Sequence, residues 1–215
     1  MRRILLLAAV AGTLMALAAP APAQAPAGGP GLDRAQTIAK EVCAACHGAD
    51  GNSAISANPS IAGQPAEYIT LQLAHFKSGL RANPVMQAMA ATLQPDEMKA
   101  LGAYFSRQKP KGQAARDAAL VTAGQKLFRG GDATAGIPAC AACHAPNGAG
   151  LARKYPRLAG QYADYTYAQL RAFKAGERGA DKDGKDVNGM IMVTVAARMS
   201  DAQMKAVAEY VSGLR

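Results

Sequence analysis

Apolar positions recur along most of this chain at helical spacing. Ile69, Leu73 and Phe76 stand at i, i+4 and i+7, and Leu170 and Phe173 repeat the stripe further on. Two later segments carry the same period with start signals. Pro95 occupies a first helical position ahead of Met98, Leu101 and Phe105. Ser200-Asp-Ala-Gln203 has the form of a capping box ahead of Met204, Val207 and Val211. No run alternates apolar with polar residues, and no Asn-Gly pair lies between apolar runs, so the pattern predicts an all-α protein.

The N-terminus reads differently. Met1-Arg2-Arg3 precedes an apolar run from Ile4 to Ala19, followed by Pro20 and a small-residue stretch to Ala25. Sixteen such residues are fewer than the roughly 20 that span a bilayer. The segment is predicted to be a secretory signal peptide over residues 1–23, with cleavage after Ala25 as the other option. The mature chain is then exported and soluble.

The remainder is one unit written twice. Cys43-Ala-Ala-Cys46-His47 recurs as Cys140-Ala-Ala-Cys143-His144, an offset of 97. At that offset Pro59-Ser-Ile-Ala-Gly-Gln64 faces Pro156-Arg-Leu-Ala-Gly-Gln161. Tyr68, Gln72, Leu73, Phe76, Lys77, Gly79 and Arg81 likewise face Tyr165, Gln169, Leu170, Phe173, Lys174, Gly176 and Arg178. Beyond Arg178 the second copy gains nine residues and the offset becomes 106. The predicted division is a first domain at 24–108, a linker at 109–117 marked by Lys109-Pro110-Lys111-Gly112-Gln113, and a second domain at 118–215.

Composition narrows the class. Of 215 residues 50% are hydrophobic and 18% charged, which excludes a disordered or rod-like chain. The formal net charge is +9, falling to +7 once Arg2 and Arg3 leave with the signal peptide. The Lys and Arg residues are scattered without an aromatic-interleaved cluster, which argues against nucleic acid as a partner. Four cysteines are too few for a disulfide scaffold, but all four lie in the repeated motif.

Cys-x-x-Cys-His suits the attachment of haem c. Two thiols three positions apart each add to one vinyl group, and the next residue presents an imidazole to the iron. The rival chemistries are a redox dithiol, which belongs in a strand–helix context absent here, and one zinc held by both cysteine pairs, which leaves His47 and His144 unused. A distal ligand then separates carrier from catalyst. Two methionine pairs match across the repeat: Met86 with Met192, and Met98 with Met204. The second pair falls on the apolar stripe of the closing helix.

Across the mature chain these motifs resemble a dihaem cytochrome c of the cytochrome c4 family. The resemblance implies two tandem class I cytochrome c domains related by a pseudo-twofold axis, each with one covalent haem c. It implies attachment through Cys43, Cys46, Cys140 and Cys143, with iron ligation by His47 and Met86 in one domain and His144 and Met192 in the other. Met89 and Met190 are the nearest competitors for the distal place. Pro59 and Pro156 would accept the proximal imidazole N–H. The implied function is periplasmic electron transfer, with no catalytic residue. A quinol-oxidising complex or dehydrogenase would be the donor and a terminal oxidase or other reductase the acceptor, with peripheral membrane association an option. The alternatives are a dedicated cytochrome subunit of a periplasmic dehydrogenase, of the flavocytochrome sulfide dehydrogenase type, and a dihaem peroxidase. Four haem propionates would lower the net charge to about +3 to +5. The opening helix departs from the family pattern: Gly124 and Phe128 have no counterpart in Leu32–Val42.

Other residues read as structural. His75 faces Ala172 in the repeat and is taken as an ordinary helix residue. Asp181-Lys-Asp183-Gly-Lys-Asp186 lacks the glycine at position six and the glutamate at position twelve of a calcium loop and is taken as solvated surface. Tyr68, Tyr165 and Tyr104 suit either haem propionates or core packing.

Overall fold

A computed structural model describes residues 30–151, 155–181 and 183–215. The predicted signal peptide lies outside them. The first group of helices is α1 (Pro30–Ile38), α2 (Ala44–His47), α3 (Ala66–Ser78), α4 (Pro84–Ala91) and α5 (Pro95–Ser106). The second is α6 (Ala118–Gly130), α7 (Ala141–His144), α8 (Ala163–Lys174), α9 (Val187–Ala197) and α10 (Asp201–Gly213). Two isolated bridges, Asp132–Ile137 and Leu151–Tyr155, are the only strand-like pairings among the described residues.

The capping box predicted at Ser200 operates as a pair of hydrogen bonds. Ser200 Oγ accepts from Gln203 N at 3.2 Å, while Gln203 Oε1 accepts from Ser200 N at 2.8 Å. Glu97 closes the start of α5 in the same way, accepting from Gln94 N at 2.9 Å. Helices α1, α3 and α5 bury apolar faces in one core, and α6, α8 and α10 do so in another. The first contains Ala35, Ile38, Ala39, Ile69, Leu93, Met98, Leu101 and Phe105. Leu127, Phe128, Ile137, Leu170, Met199, Met204, Val207, Tyr210 and Val211 form the second.

The opening helices explain the departure seen in the sequence. In the second copy Gly124 lets α6 lie directly on α10; a Cβ there would stand 2.0 Å from Ala206 O. In the first, Ala35 and Ala39, both fully buried, supply the small face at the same i, i+4 spacing. The connections differ too. Helix α1 runs through one π-helical turn, Ala39–Cys43, straight into the motif. Helix α6 instead ends at Gly131 (φ 70°), and a loop leads to Cys140.

The two helical groups meet through reciprocal contacts that obey the pseudo-twofold. Gln64 Nε2 donates to Arg157 O at 2.7 Å, and Gln64 Oε1 accepts from Arg157 N at 3.0 Å. Gln161 treats Ser60 identically, at 2.8 and 3.0 Å. Both glutamines are buried. A second reciprocal set lies at the ends of α3 and α8. Arg81 donates to Gln72, Tyr165 and Gln169, and Arg178 donates to Gln169, Tyr68 and Gln72, at 2.7–3.3 Å. Each guanidinium also stacks over its own domain's phenylalanine, Phe76 or Phe173.

The connection between the groups is strapped down. Asn52 brackets it by donating to Lys109 O and accepting from Lys111 N. Buried Glu209 accepts from the amides of Arg116 and Asp117, and Arg215 donates to Gln113 O. Asp117 then caps α6.

Replacing Gln64 by Ala strands one backbone N–H and one C=O of Arg157 in the interface. The expected loss is about 1–3 kcal/mol per orphaned group, with a matching loss for Gln161→Ala, read from guanidinium unfolding of the holoprotein.

Candidate functional site

In both copies one helical turn carries the motif, with Cys43 and Cys140 just ahead of α2 and α7 and His47 and His144 closing them. Two thiols are thereby set one turn apart beside an imidazole. His47 Nδ1–H donates to Pro59 O at 2.8 Å, and His144 Nδ1–H to Pro156 O at 2.9 Å. Burial lowers the pKa of both imidazoles, outweighing the proline carbonyls that raise it. A neutral ring with Nδ1 engaged leaves Nε2 as its metal-binding nitrogen.

Burial pushes the Cys43 and Cys140 thiols up to about 11, the opposite of the acidified thiol a redox dithiol needs. Among the described residues no three His, Cys, Asp or Glu side chains are grouped to hold an ion, so the two cysteine pairs do not converge on a zinc.

The loops after the motifs repeat closely. Gly51 O accepts from Ile61 N and Ala62 N, and Gly148 O accepts from Leu158 N and Ala159 N, at 2.7–3.0 Å. One residue breaks the match. Gly48, after His47, has φ 75° and ψ 149°; its counterpart Ala145 holds φ 66° and ψ 153° with a side chain in a region almost confined to glycine.

Helices α4 and α9 carry the candidate sulfurs. Met86 is half-buried in the first turn of α4, where Asn83 Oδ1 accepts its N–H at 2.9 Å. Met192 is half-buried on α9 and packs against the second core, as do Cys140, Ala141, Leu158 and Val195. In the first copy Cys43, Ile61, Leu73 and Tyr104 line the core. Met98 and Met204 are 4% and 3% exposed, deep in the closing-helix packing. Of the competitors, Met89 is 44% exposed, and the Met190 sulfur accepts the Asp181 N–H at 3.3 Å. These residues fit haem c: paired thiols one turn apart, an oriented imidazole, and a thioether on a following helix.

Three readings change. His75 is not an ordinary helix residue: it is buried between the helical groups, with Nδ1 at 3.7 Å from Asp186 Oδ2. The acidic loop is not wholly solvated. Asp181 accepts from the amides of Asp183 and Asp186, and Asp186 caps α9 through Gly189 N while facing His75. Tyr68 and Tyr165 accept hydrogen bonds from the arginines across the interface, and Tyr104 OH donates to Ala49 O at 3.1 Å. In the sequence Arg81 and Arg178 stand out as repeat partners, but this contact does not. Their pairing across the repeat with two glutamines and two tyrosines was the available signal.

Comparison with known proteins agrees with this geometry. Residues 121–215 match the family described as cytochrome c, and residues 30–105 match cytochrome c oxidase, cbb3-type, subunit III. Cytochrome c4 of Thiocapsa roseopersicina is 44% identical over 178 residues, covering 82% of this chain and 88% of that protein. The chain belongs to the cytochrome c4 family. The crystal structure of reduced cytochrome c4 from Pseudomonas stutzeri superposes with a TM-score of 0.78 at 39% identity, covering 86% of this chain and 98% of that one. A thiosulfate dehydrogenase electron acceptor from Thiomonas intermedia is 42% identical, over 79% of this chain and 77% of its own. As a cytochrome c4 the protein is an electron carrier with covalently attached haem c, not an enzyme. No helix among the described residues is long and apolar enough to cross a membrane.

Replacing Ala145 by Gly relieves the strained backbone beside His144. Offset by the added freedom of the unfolded chain, the expected gain is about 1 kcal/mol in thermal or denaturant unfolding.

Proposed function

We propose that this cytochrome c4 is an exported, periplasmic carrier that takes electrons from a dehydrogenase or quinol-oxidising complex and passes them to a terminal oxidase or other reductase. Haem supplies a one-electron iron couple. Cys43 and Cys46 would hold one group and Cys140 and Cys143 the other. His47 and His144 would supply nitrogen ligands to iron, and Met86 and Met192 sulfur ligands. Thioether ligation would raise the potential and leave the iron closed to exogenous ligands, as a carrier requires. The observation carrying this reading is the repeated pair of histidines, each pinned through Nδ1 to a proline carbonyl beside two thiols. The domain division at 24–108, 109–117 and 118–215 belongs to the same proposal. One electron then enters through either domain and leaves through the other.

A second reading is favoured by the Thiomonas relative, whose name makes it the acceptor of a thiosulfate dehydrogenase. Here the protein serves one dehydrogenase of a small sulfur oxyanion rather than a shared pool. Stopped-flow reduction distinguishes the two: a dedicated acceptor is reduced far faster by thiosulfate plus its dehydrogenase than by a quinol-oxidising complex.

The ligand assignment is checked by absorption spectroscopy of oxidised holoprotein. Met86→Ala and Met192→Ala are each expected to remove half of the methionine-sulfur-to-iron charge-transfer band. An unchanged band in either variant overturns the assignment for that domain. Met98→Ala is expected to keep the whole band while losing about 2–5 kcal/mol of stability to a core cavity.

A further inference from the structure

The pseudo-twofold is not exact across the interface, and at one place two departures from it come together. The first domain carries His75 where the second has Ala172, and the second carries the nine-residue insertion after Arg178 where the first has none. These two asymmetries touch. His75 Nδ1, buried and without a hydrogen-bond partner, faces the Asp186 carboxylate of the insertion at 3.7 Å. We propose that His75 is a proton-binding positioning residue for electron transfer, taking up a proton from solvent when the protein gains an electron and releasing it on reoxidation.

The surroundings support a site poised between charge states. Asp186, at the start of α9, and Asp181, in the loop before it, favour the imidazolium. Arg81, after α3, and Arg178, after α8, oppose it. The phenol groups of Tyr68 and Tyr165 accept hydrogen bonds from those two arginines. Burial resists ionisation of Tyr165, but the two guanidiniums outweigh it and hold the hydroxyl below its ordinary value. Two carboxylates thus stand against two guanidiniums around one imidazole. Burial is the largest influence on His75 and keeps its pKa below the usual histidine value. Burial therefore favours the neutral ring, which gains its proton at a lower pH than an ordinary histidine. An added electron makes the interior one unit more negative, which favours the cationic ring by Coulomb attraction. Lying between the two helical groups, the ring senses an electron in either domain. In each one-electron step charge balances: one electron comes from the donor, up to one proton from water, and both depart on reoxidation.

Asp186 allows a clean test, because its Oδ1 caps α9 through Gly189 N at 2.8 Å while Oδ2 faces His75. Asp186→Asn removes the charge and keeps a side chain well suited to capping. His75→Ala installs the residue found in the other repeat. Midpoint potentials of both haems in the holoprotein, measured from pH 5 to 8, are expected to rise toward the acid end of that range. A threefold tighter proton in the reduced state converts to about 28 mV for a one-electron couple. His75→Ala is expected to lose that rise, and Asp186→Asn to move it to lower pH. NMR titration of the His75 ring should give a higher pKa in reduced than in oxidised protein. Superimposable potential–pH curves for wild type and His75→Ala, curves differing only by a constant offset, or equal ring pKa values in both oxidation states overturn the proposal. It rests on the carrier reading, but the two fail separately. The charge-transfer band reports the distal ligand, whereas the pH slope and ring titration report His75.

Discussion

Two adjacent residues in each repeat tie the histidine of the Cys-x-x-Cys-His motif to the contact between domains. Pro59 O holds His47, and the next residue, Ser60, gives both its N–H and its C=O to Gln161 of the other domain. Pro156 and Arg157 do the same for His144 and Gln64. The imidazole orientation and the domain contact therefore share one stretch of backbone. A shift of either domain would be felt at the partner's pinned imidazole within two peptide units. The amide side chain is well suited to this role because it offers one donor and one acceptor in the geometry of a peptide group.

The rest of the architecture keeps that stretch fixed. The loops behind it close on Gly51 O and Gly148 O, each accepting two amides. Helix α5 or α10 packs beneath, crossed by an opening helix whose small face permits close approach, through Ala35 and Ala39 in one case and Gly124 in the other. The linker, bracketed by Asn52 and Glu209, prevents the halves from drifting. Such rigidity suits a carrier, since little reorganisation accompanies a one-electron step when the ligands are already in place.

The sequence carried the helical class, the duplication and the paired motifs because each rests on local spacing. Period 3.6 exposed the helices, and the offset of 97 exposed both Cys-x-x-Cys-His turns and the prolines opposite them. The capping box at Ser200 was legible for the same reason, its donors and acceptors lying three residues apart. What escaped was set by contacts distant in sequence. His75 and Asp186 are 111 positions apart and have no repeat partners to advertise them, so each was read by its own surroundings alone. The Met190 sulfur was similarly ambiguous until the insertion loop was seen to occupy it. The continuous π-turn into Cys43 also escaped, since no side-chain pattern distinguishes it from an ordinary helix.

The reciprocity of the glutamine contacts bears on how the halves associate. When residue i of one half meets residue j of the other, and j of the first meets i of the second, the surface is self-complementary, as in a symmetric homodimer. Ser60 with Gln161 and Arg157 with Gln64 follow that rule, as do Arg81 with Tyr165 and Arg178 with Tyr68. Such a surface needs no covalent tether to be specific. Two separate copies of one such domain could associate through it, and a single chain makes that association permanent. Joined in one chain, the halves are free to differ, and the buried histidine facing an inserted loop is a mark of that freedom.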